Sequence, residues 1–173
     1  MKLYHHYIPP EKMVGAKLVP PSTLQRMAPE LTEQHLVKYR NRDWFKQRGG
    51  VSKVQIPCLS CTLVDVIQMV AIPVSQIQER QRLLGGTPLR FFEIESDSLD
   101  QNCLCAYYRN DEKTGEPIYD AFDPSLPLDQ VADAFEKWWR EEIAKGHPRR
   151  IYAGVPHIYY KGEIDITNCP VVS

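Results

Sequence analysis

The chain has 173 residues, of which 43% are hydrophobic and 25% charged, and its formal net charge is −1. This length and composition predict a single globular domain over residues 1–173, since compact domains commonly take about 100–200 residues. The near-neutral charge excludes a global electrostatic field that would attract nucleic acid or an anionic membrane surface.

The sequence also indicates a cellular compartment. No stretch approaches the roughly 18 apolar residues of a membrane span. The first residues lack a signal-peptide pattern, because His5, His6 and the Pro9-Pro10 pair interrupt any apolar run. Five cysteines, an odd number, suit a reducing compartment better than a disulfide framework. We therefore expect a cytoplasmic protein that binds neither membranes nor nucleic acid.

The first half of the chain alternates extended and helical patterns. In chain order, we predict a strand over 2–8, a helical turn over 11–16, a turn capped by Ser22, a helix over 29–50, a strand within 51–72 followed by an element of either type, and a short helix over 73–86. The long helix has a first-turn proline, Pro29, and both helices end at glycine pairs, which are common helix stops.

The second half is richer in strands. We predict strands over 89–95, 103–109 and 117–122, a hairpin-like turn over 110–116, a helix over 125–146, and closing strands over 149–154 and 156–166. Apolar residues recur at helical spacing within 125–146, which predicts Trp138 in the core and leaves Trp139 as a surface anchor. The order of elements predicts an α+β fold with several helices and a mixed or antiparallel sheet.

The cysteines form two short motifs. Cys58 and Cys61 make a C-x-x-C, and Cys103 and Cys105 lie two residues apart, which on a strand places both on one face. Structural zinc uses four ligands on tight turns, and no glycine-bearing knuckle surrounds these cysteines. A thioredoxin-like redox pair would need a βαβ setting, which is absent. We therefore expect packed core cysteines and no metal site.

A cysteine hydrolase is a third functional reading. Cys58 or Cys61 would be the nucleophile and His157 or His5 the general base, because such pairs are neighbours in space rather than in sequence. The sequence has neither a G-x-S-x-G elbow nor a recognisable nucleophile turn around either cysteine. The pattern therefore favours core packing over this chemistry.

The two adjacent histidines of the first strand raise a question of orientation. Strand side chains alternate between faces, so His5 and His6 point to opposite sides of the sheet. One of them must face the core unless that face lines a cleft, where an imidazole can bind a ligand. The pattern leaves open which of the two would do so.

The opening KLYHHYIPPEKMVGAKLVPPSTL resembles that of small ADP-ribosyltransferase-like proteins. In that family, a strand with an aromatic residue and a histidine leads through a short helix to a G-x-L-x-P stretch. His5 takes the place of the family's first-motif histidine, and Gly15, Leu18 and Pro20 correspond to the Gly, Leu and Pro of the later stretch, with one additional residue between Gly15 and Leu18. The resemblance implies an ADP-ribosyltransferase-like fold and NAD as the ligand.

The ending PHIYYKGEIDITNCPVV resembles the family's late strand, where a catalytic glutamate precedes three hydrophobic residues and a G-x-I. In this chain, His157 stands at the place of that glutamate. An imidazole stabilises the positive charge of glycosidic-bond cleavage poorly, and Glu163 lies six residues further on. Bacterial proteins with a VPHIYYKGEIDI style of ending are also similar, but that likeness implies no activity.

Two classes of function follow from these observations. The first is an ADP-ribosyltransferase-like domain that binds NAD or a related nucleotide or small molecule, and that either is catalytically degenerate or transfers ADP-ribose or hydrolyses the nicotinamide bond. The resemblance implies a cleft lined by His5 or His6, the strand residue Tyr107 and His157, with His157 and Glu163 in the catalytic positions. The second is a non-enzymatic domain that binds a protein partner.

Overall fold

The structure is a computed structural model that describes residues 1–32, 53–125, 128–147 and 151–173. Its strands are β1 (Lys2–His6), β2 (Lys17–Leu18), β3 (Gln55–Ile56), β4 (Cys61–Thr62), β5 (Ile67–Val70), β6 (Phe91–Glu95), β7 (Leu104–Asn110), β8 (Pro117–Ala121), β9 (His157–Tyr160), β10 (Ile164–Asp165) and β11 (Val171–Val172). Its helices include α1 (Pro21–Met27), α2 (Val74–Leu83) and α3 (Leu128–Ala144). These elements confirm the predicted α+β class.

Seven strands form one sheet in the order β11-β6-β1-β5-β9-β7-β8, and every neighbouring pair is antiparallel. Strand β5 therefore separates β1 from β9. Two small antiparallel pairs, β2–β10 and β3–β4, complete the described strands. The predicted mixed or antiparallel sheet is thus observed in its antiparallel form.

The sheet is buried on both faces because successive side chains of a strand point to opposite faces, and its central strands carry apolar residues at consecutive positions. The first face carries the largest core cluster, which includes Leu3 of β1 and Ile158 of β9 and is covered by Leu18 and Ile164 of the β2–β10 pair. The second face carries Val70 and Phe91 under α2 and α3, and further along it a smaller cluster around Cys105 and Tyr159. Both faces are therefore sites of packing.

A buried arginine joins the two long helices. The Arg80 side chain in α2 is only 1% exposed, and its Nε donates to Glu136 of α3 at 2.7 Å. Its Nη1 donates to the carbonyls of Ile151 and Ala153 at 2.9 and 3.0 Å. The guanidinium carbon also lies 5.0 Å from the ring centre of Trp139. One side chain thus connects α2, α3 and the segment before β9.

Two predictions about these elements are wrong, and a third falls mostly outside the described residues. Trp139 is fully buried and Trp138 is 36% exposed, the reverse of the prediction, because the buried stripe of α3 runs through Leu128, Ala132 and Trp139. Residues 151–154 form turns instead of the predicted strand over 149–154. The predicted helix over 29–50 lies mostly outside the described residues, of which 29–32 are helical.

Candidate functional site

His5 and His157 lie on opposite faces of the sheet. Tyr4 is the register partner of Val70, and Val70 is the register partner of His157, so these three side chains share one face. His5 follows Tyr4 and therefore points to the other face, as the partner of Phe92. The expectation that His5 and His157 line one cleft is wrong. The strand register aligns Tyr4 with His157 through Val70, and His5, one residue further along β1, points to the opposite face.

His6 shares a face with His157 but does not reach it. Two strand spacings and two residues along the strand separate their Cα atoms by about 12 Å. The His6 ring is exposed, meets the edge of Phe91 with ring centres 5.7 Å apart, and donates from Nδ1 to the carbonyl of Tyr7 at 3.0 Å. Of the histidines in β1, neither one forms a site with His157.

Tyr107 does lie beside His157. The two are register partners between β7 and β9, and their ring centres are 6.1 Å apart. Tyr119 and Tyr159 complete an aromatic cluster, with centre distances of 5.8 Å from Tyr107 to Tyr119, 5.8 Å from Tyr119 to Tyr159, and 6.4 Å from Tyr159 to His157. These ring faces contact one another, as expected for cross-strand packing.

The environment of His157 keeps its imidazole neutral at pH 7. Burial lowers the pKa of His157 to about 4, although a hydrogen bond with the backbone of Val155 acts in the opposite direction. Desolvation disfavours the charged form of any buried group. His157 is therefore a packed ring that is neutral at pH 7. It occupies the position at which the resembling family has its catalytic glutamate.

A polar cleft opens at the other end of β9. Its volume is about 400 Å³, and it is lined by Pro20, Ser22, Thr23, Ser60, Cys61, Asp65, Lys161, Gly162 and Glu163. Small-molecule sites commonly measure about 300–1,000 Å³. The cleft is therefore large enough for a small ligand, or for part of a dinucleotide.

The two ends of the chain meet at this cleft. β2 pairs with β10, with Leu18 opposite Ile164 and Lys17 opposite Asp165. Lys17 also forms an ion pair with Glu163 at 3.0 Å, and the Glu163 side chain is 43% exposed. The stretch over residues 15–20 and the G-x-I stretch over residues 162–164, which carry the resemblance, are thus adjacent in space. Glu163 opens into the cleft, whereas His157 lies at the start of β9.

Lys161 and Asp65 give the cleft its fixed charges. Lys161 donates from Nζ to the carbonyl of Leu59 at 2.9 Å, which holds its ammonium near the cleft wall. Burial raises the pKa of Asp65, but hydrogen bonds from Thr62 and Ser22 and the charge of Lys161 outweigh it and hold the pKa below its ordinary value. The cleft thus offers a fixed ammonium and an ionised carboxylate.

Two backbone positions shape the cleft. Ser60 has φ of 48°, a left-handed conformation that is uncommon for residues other than glycine. At Gly162, an added Cβ would lie 2.7 Å from Cε1 of Tyr160, so the chain passes too close to that ring for a side chain. Both Ser60 and Gly162 line the cleft.

The cysteines are arranged differently from the prediction. Cys103 ends a 3-10 turn and packs against the first-face core, whereas Cys105 lies in β7 and packs in the second-face cluster. Cys58 is exposed on the 3-10 turn Pro57–Leu59, so it is no core residue. Within the described ranges, no group of three or more His, Cys, Asp or Glu residues is placed to hold a metal ion.

The thiol of Cys61 lacks the features of an activated nucleophile. Burial raises its pKa, Lys161 lowers it, and Asp65 and Cys58 raise it further, with a net upward shift. Catalytic cysteines have a lowered pKa, commonly through a neighbouring cation or histidine. The geometry around Cys61 therefore gives the cysteine hydrolase reading no support.

The sequence pointed to only part of this cleft. Glu163 was a candidate, whereas Lys161, Asp65, Ser60 and Ser22 were not, because they belong to separate short segments that only the fold brings together.

In the described parts of the chain, no helix combines the length and apolar character needed to cross a membrane. No protein-family model, curated protein or solved structure matches the chain.

Proposed function

We propose that this chain binds NAD or a related nucleotide in the polar cleft and does not transfer ADP-ribose. The observation that carries the proposal is the meeting of the two resembling end pieces, through β2 and β10, at a cleft of about 400 Å³. The ADP-ribosyltransferase-like fold itself belongs to the same proposal.

The lining suits the sugar and phosphate parts of a nucleotide. Carboxylate oxygens of Asp65 and Glu163 accept hydrogen bonds from ribose hydroxyls, and the Lys161 ammonium pairs with a phosphate. Hydroxyls of Ser22, Thr23 and Ser60 offer further donors and acceptors. Because Lys17 already neutralises Glu163, the cleft carries no excess of negative charge that would repel a phosphate.

The positions of the predicted catalytic residues argue against transfer. In the family, a carboxylate stabilises the positive charge that develops as the nicotinamide bond breaks. Here the matching residue is His157, whose ring packs against Tyr107 and whose partner His5 lies across the sheet. Glu163 is held by Lys17. These contacts support binding without cleavage.

We expect NAD to raise the melting temperature of the wild-type protein. At 100 times the dissociation constant, binding adds about 2.7 kcal/mol of stability. For a chain of this size, that corresponds to a rise of roughly 5–10 °C. Thermal-shift titrations with NAD and with ADP-ribose, up to millimolar concentration, measure the effect, and release of nicotinamide is followed in the same samples.

Two variants locate the ligand. Lys161→Met keeps the aliphatic stem and removes the ammonium, so it should weaken binding at least tenfold, whereas Lys145→Met, at an exposed lysine of the turn that follows α3, should leave binding unchanged. The proposal fails if wild type shows no shift, a result that favours the non-enzymatic protein-interaction domain, or if Lys161→Met binds as wild type does. Nicotinamide release that Glu163→Gln abolishes would refute the absence of transfer.

A further inference from the structure

Two cysteines from distant parts of the chain have their sulfur atoms in contact. The Sγ atoms of Cys58 and Cys105 are 2.7 Å apart, across 47 positions of sequence. Cys58 lies on the 3-10 turn Pro57–Leu59 and Cys105 on strand β7. The sequence motif instead pairs Cys58 with Cys61. The fold thus selects a different partner from the one that spacing suggests.

The two thiols differ in access to solvent. Cys58 is exposed, whereas Cys105 is 0% exposed and packs with Ile56, Leu59 and Tyr159. An oxidant in solution therefore reaches Cys58 first. Burial raises the pKa of the Cys105 thiol, and the neighbouring Cys58 raises it further. Cys105 is therefore protected from reagents in solution, and the thiol that reaches its sulfur is that of Cys58.

We infer that Cys58 and Cys105 form a reversible disulfide by exchange with a low-molecular-weight disulfide such as oxidised glutathione. The Cys58 thiolate attacks one sulfur of the oxidant, which forms a mixed disulfide and releases one thiolate, and this thiolate takes up the proton that Cys58 gave to solvent. Cys105 then attacks the Cys58 sulfur, and its proton goes to the second departing thiolate. Two protein thiols are oxidised, and one external disulfide is reduced to two thiols.

This bond would attach a wall of the polar cleft to the main sheet. Ser60 and Cys61 line the cleft, and the carbonyl of Leu59 holds the Lys161 ammonium. All three residues directly follow Cys58 in the chain, whereas Cys105 belongs to a strand between β9 and β8. Oxidation therefore tethers the segment that positions Lys161. The inference stands independently of what the cleft binds.

The test is oxidation of the reduced protein with oxidised glutathione, followed by alkylation of the remaining thiols and mass spectrometry. The wild-type chain should lose two of its five free thiols and regain them on treatment with dithiothreitol. Tryptic peptides hold Cys58 with Cys61 and Cys103 with Cys105. The assignment is therefore made in the Cys61→Ser/Cys103→Ser variant, where the same link should form.

Adding Cys58→Ser to that variant provides the matched control. Position 58 is exposed, so the fold should persist, and an unchanged circular dichroism spectrum verifies it. The link should then disappear, and Cys169 should stay available to alkylation throughout. A Cys58–Cys61 link in wild type, a glutathione adduct on Cys58 that never resolves, or thiol loss that persists without Cys58 would each overturn the inference.

Discussion

Replacing Arg80 by methionine should lower the free energy of unfolding by about 2–4 kcal/mol, because two buried carbonyls lose their donor at a cost of about 1–3 kcal/mol each, whereas Glu136 keeps its ion pair with Arg140. Methionine fills much of the same volume, so lost packing contributes little. The change leaves the carbonyls of Ile151 and Ala153 without their donor and removes the cation over Trp139. Urea unfolding at pH 7 measures the loss.

Arg82→Met is the matched control for Arg80. Arg82 lies in the same helix, but its side chain is 69% exposed and its partner is Glu79 on the same surface. We expect a change within about 0.5 kcal/mol, as for surface substitutions in general. If the Arg80 and Arg82 variants differ by less than about 1 kcal/mol, in the range of ordinary surface effects, Arg80 does not join α2 to α3 as described.

Acid should destabilise the protein through His157. Its pKa is lowered to about 4 in the folded state, against about 6.5 in an unfolded chain. Between these values the unfolded chain binds the extra proton, so stability falls as the pH drops from 6.5 towards 4. The full loss amounts to about 3 kcal/mol, and about 2 kcal/mol of it should appear by pH 5.

The His157→Phe variant isolates this effect from other titrations. Phenylalanine keeps a ring beside Tyr107 and cannot be protonated, so the variant should lose less stability than wild type between pH 7.5 and 5 in urea unfolding. His147→Gln, at an exposed histidine paired with Glu142, should retain the wild-type dependence. Equal losses in wild type and His157→Phe would show that His157 titrates normally.

Local patterns predicted the elements better than their orientation. Alternation and helix-stop signals located α2, α3 and β6 to β8 within a few residues, whereas the single strand predicted over 156–166 is divided into β9 and β10. The buried face of α3 was misjudged because Trp138 and Trp139 are adjacent, and the buried stripe through Leu128 and Ala132 continues to Trp139. The predicted strand over 149–154 failed because Ile151 and Ala153 give their carbonyls to Arg80.

Local sequence patterns also could not predict the candidate site, because it depends on the register and order of strands that are distant in the sequence. Alternation showed that His5 and His6 face opposite sides, but the face that His157 shares depends on register through β5. The proximity of Tyr107 and His157 depends equally on β7 lying next to β9. The cleft joins segments from residues 20–23, 60–65 and 161–163, which no spacing in the sequence connects.

Backbone amide shifts on ligand addition measure most directly where the protein binds. Titrating NAD into the isotopically labelled protein and recording two-dimensional NMR spectra should move the amides of Ser60, Lys161, Gly162 and Glu163. Amides of Tyr107 and His157 should stay in place. Saturable shifts centred on Tyr107 and His157, or none at millimolar NAD, would contradict the assignment of nucleotide binding to the cleft where the two chain ends meet.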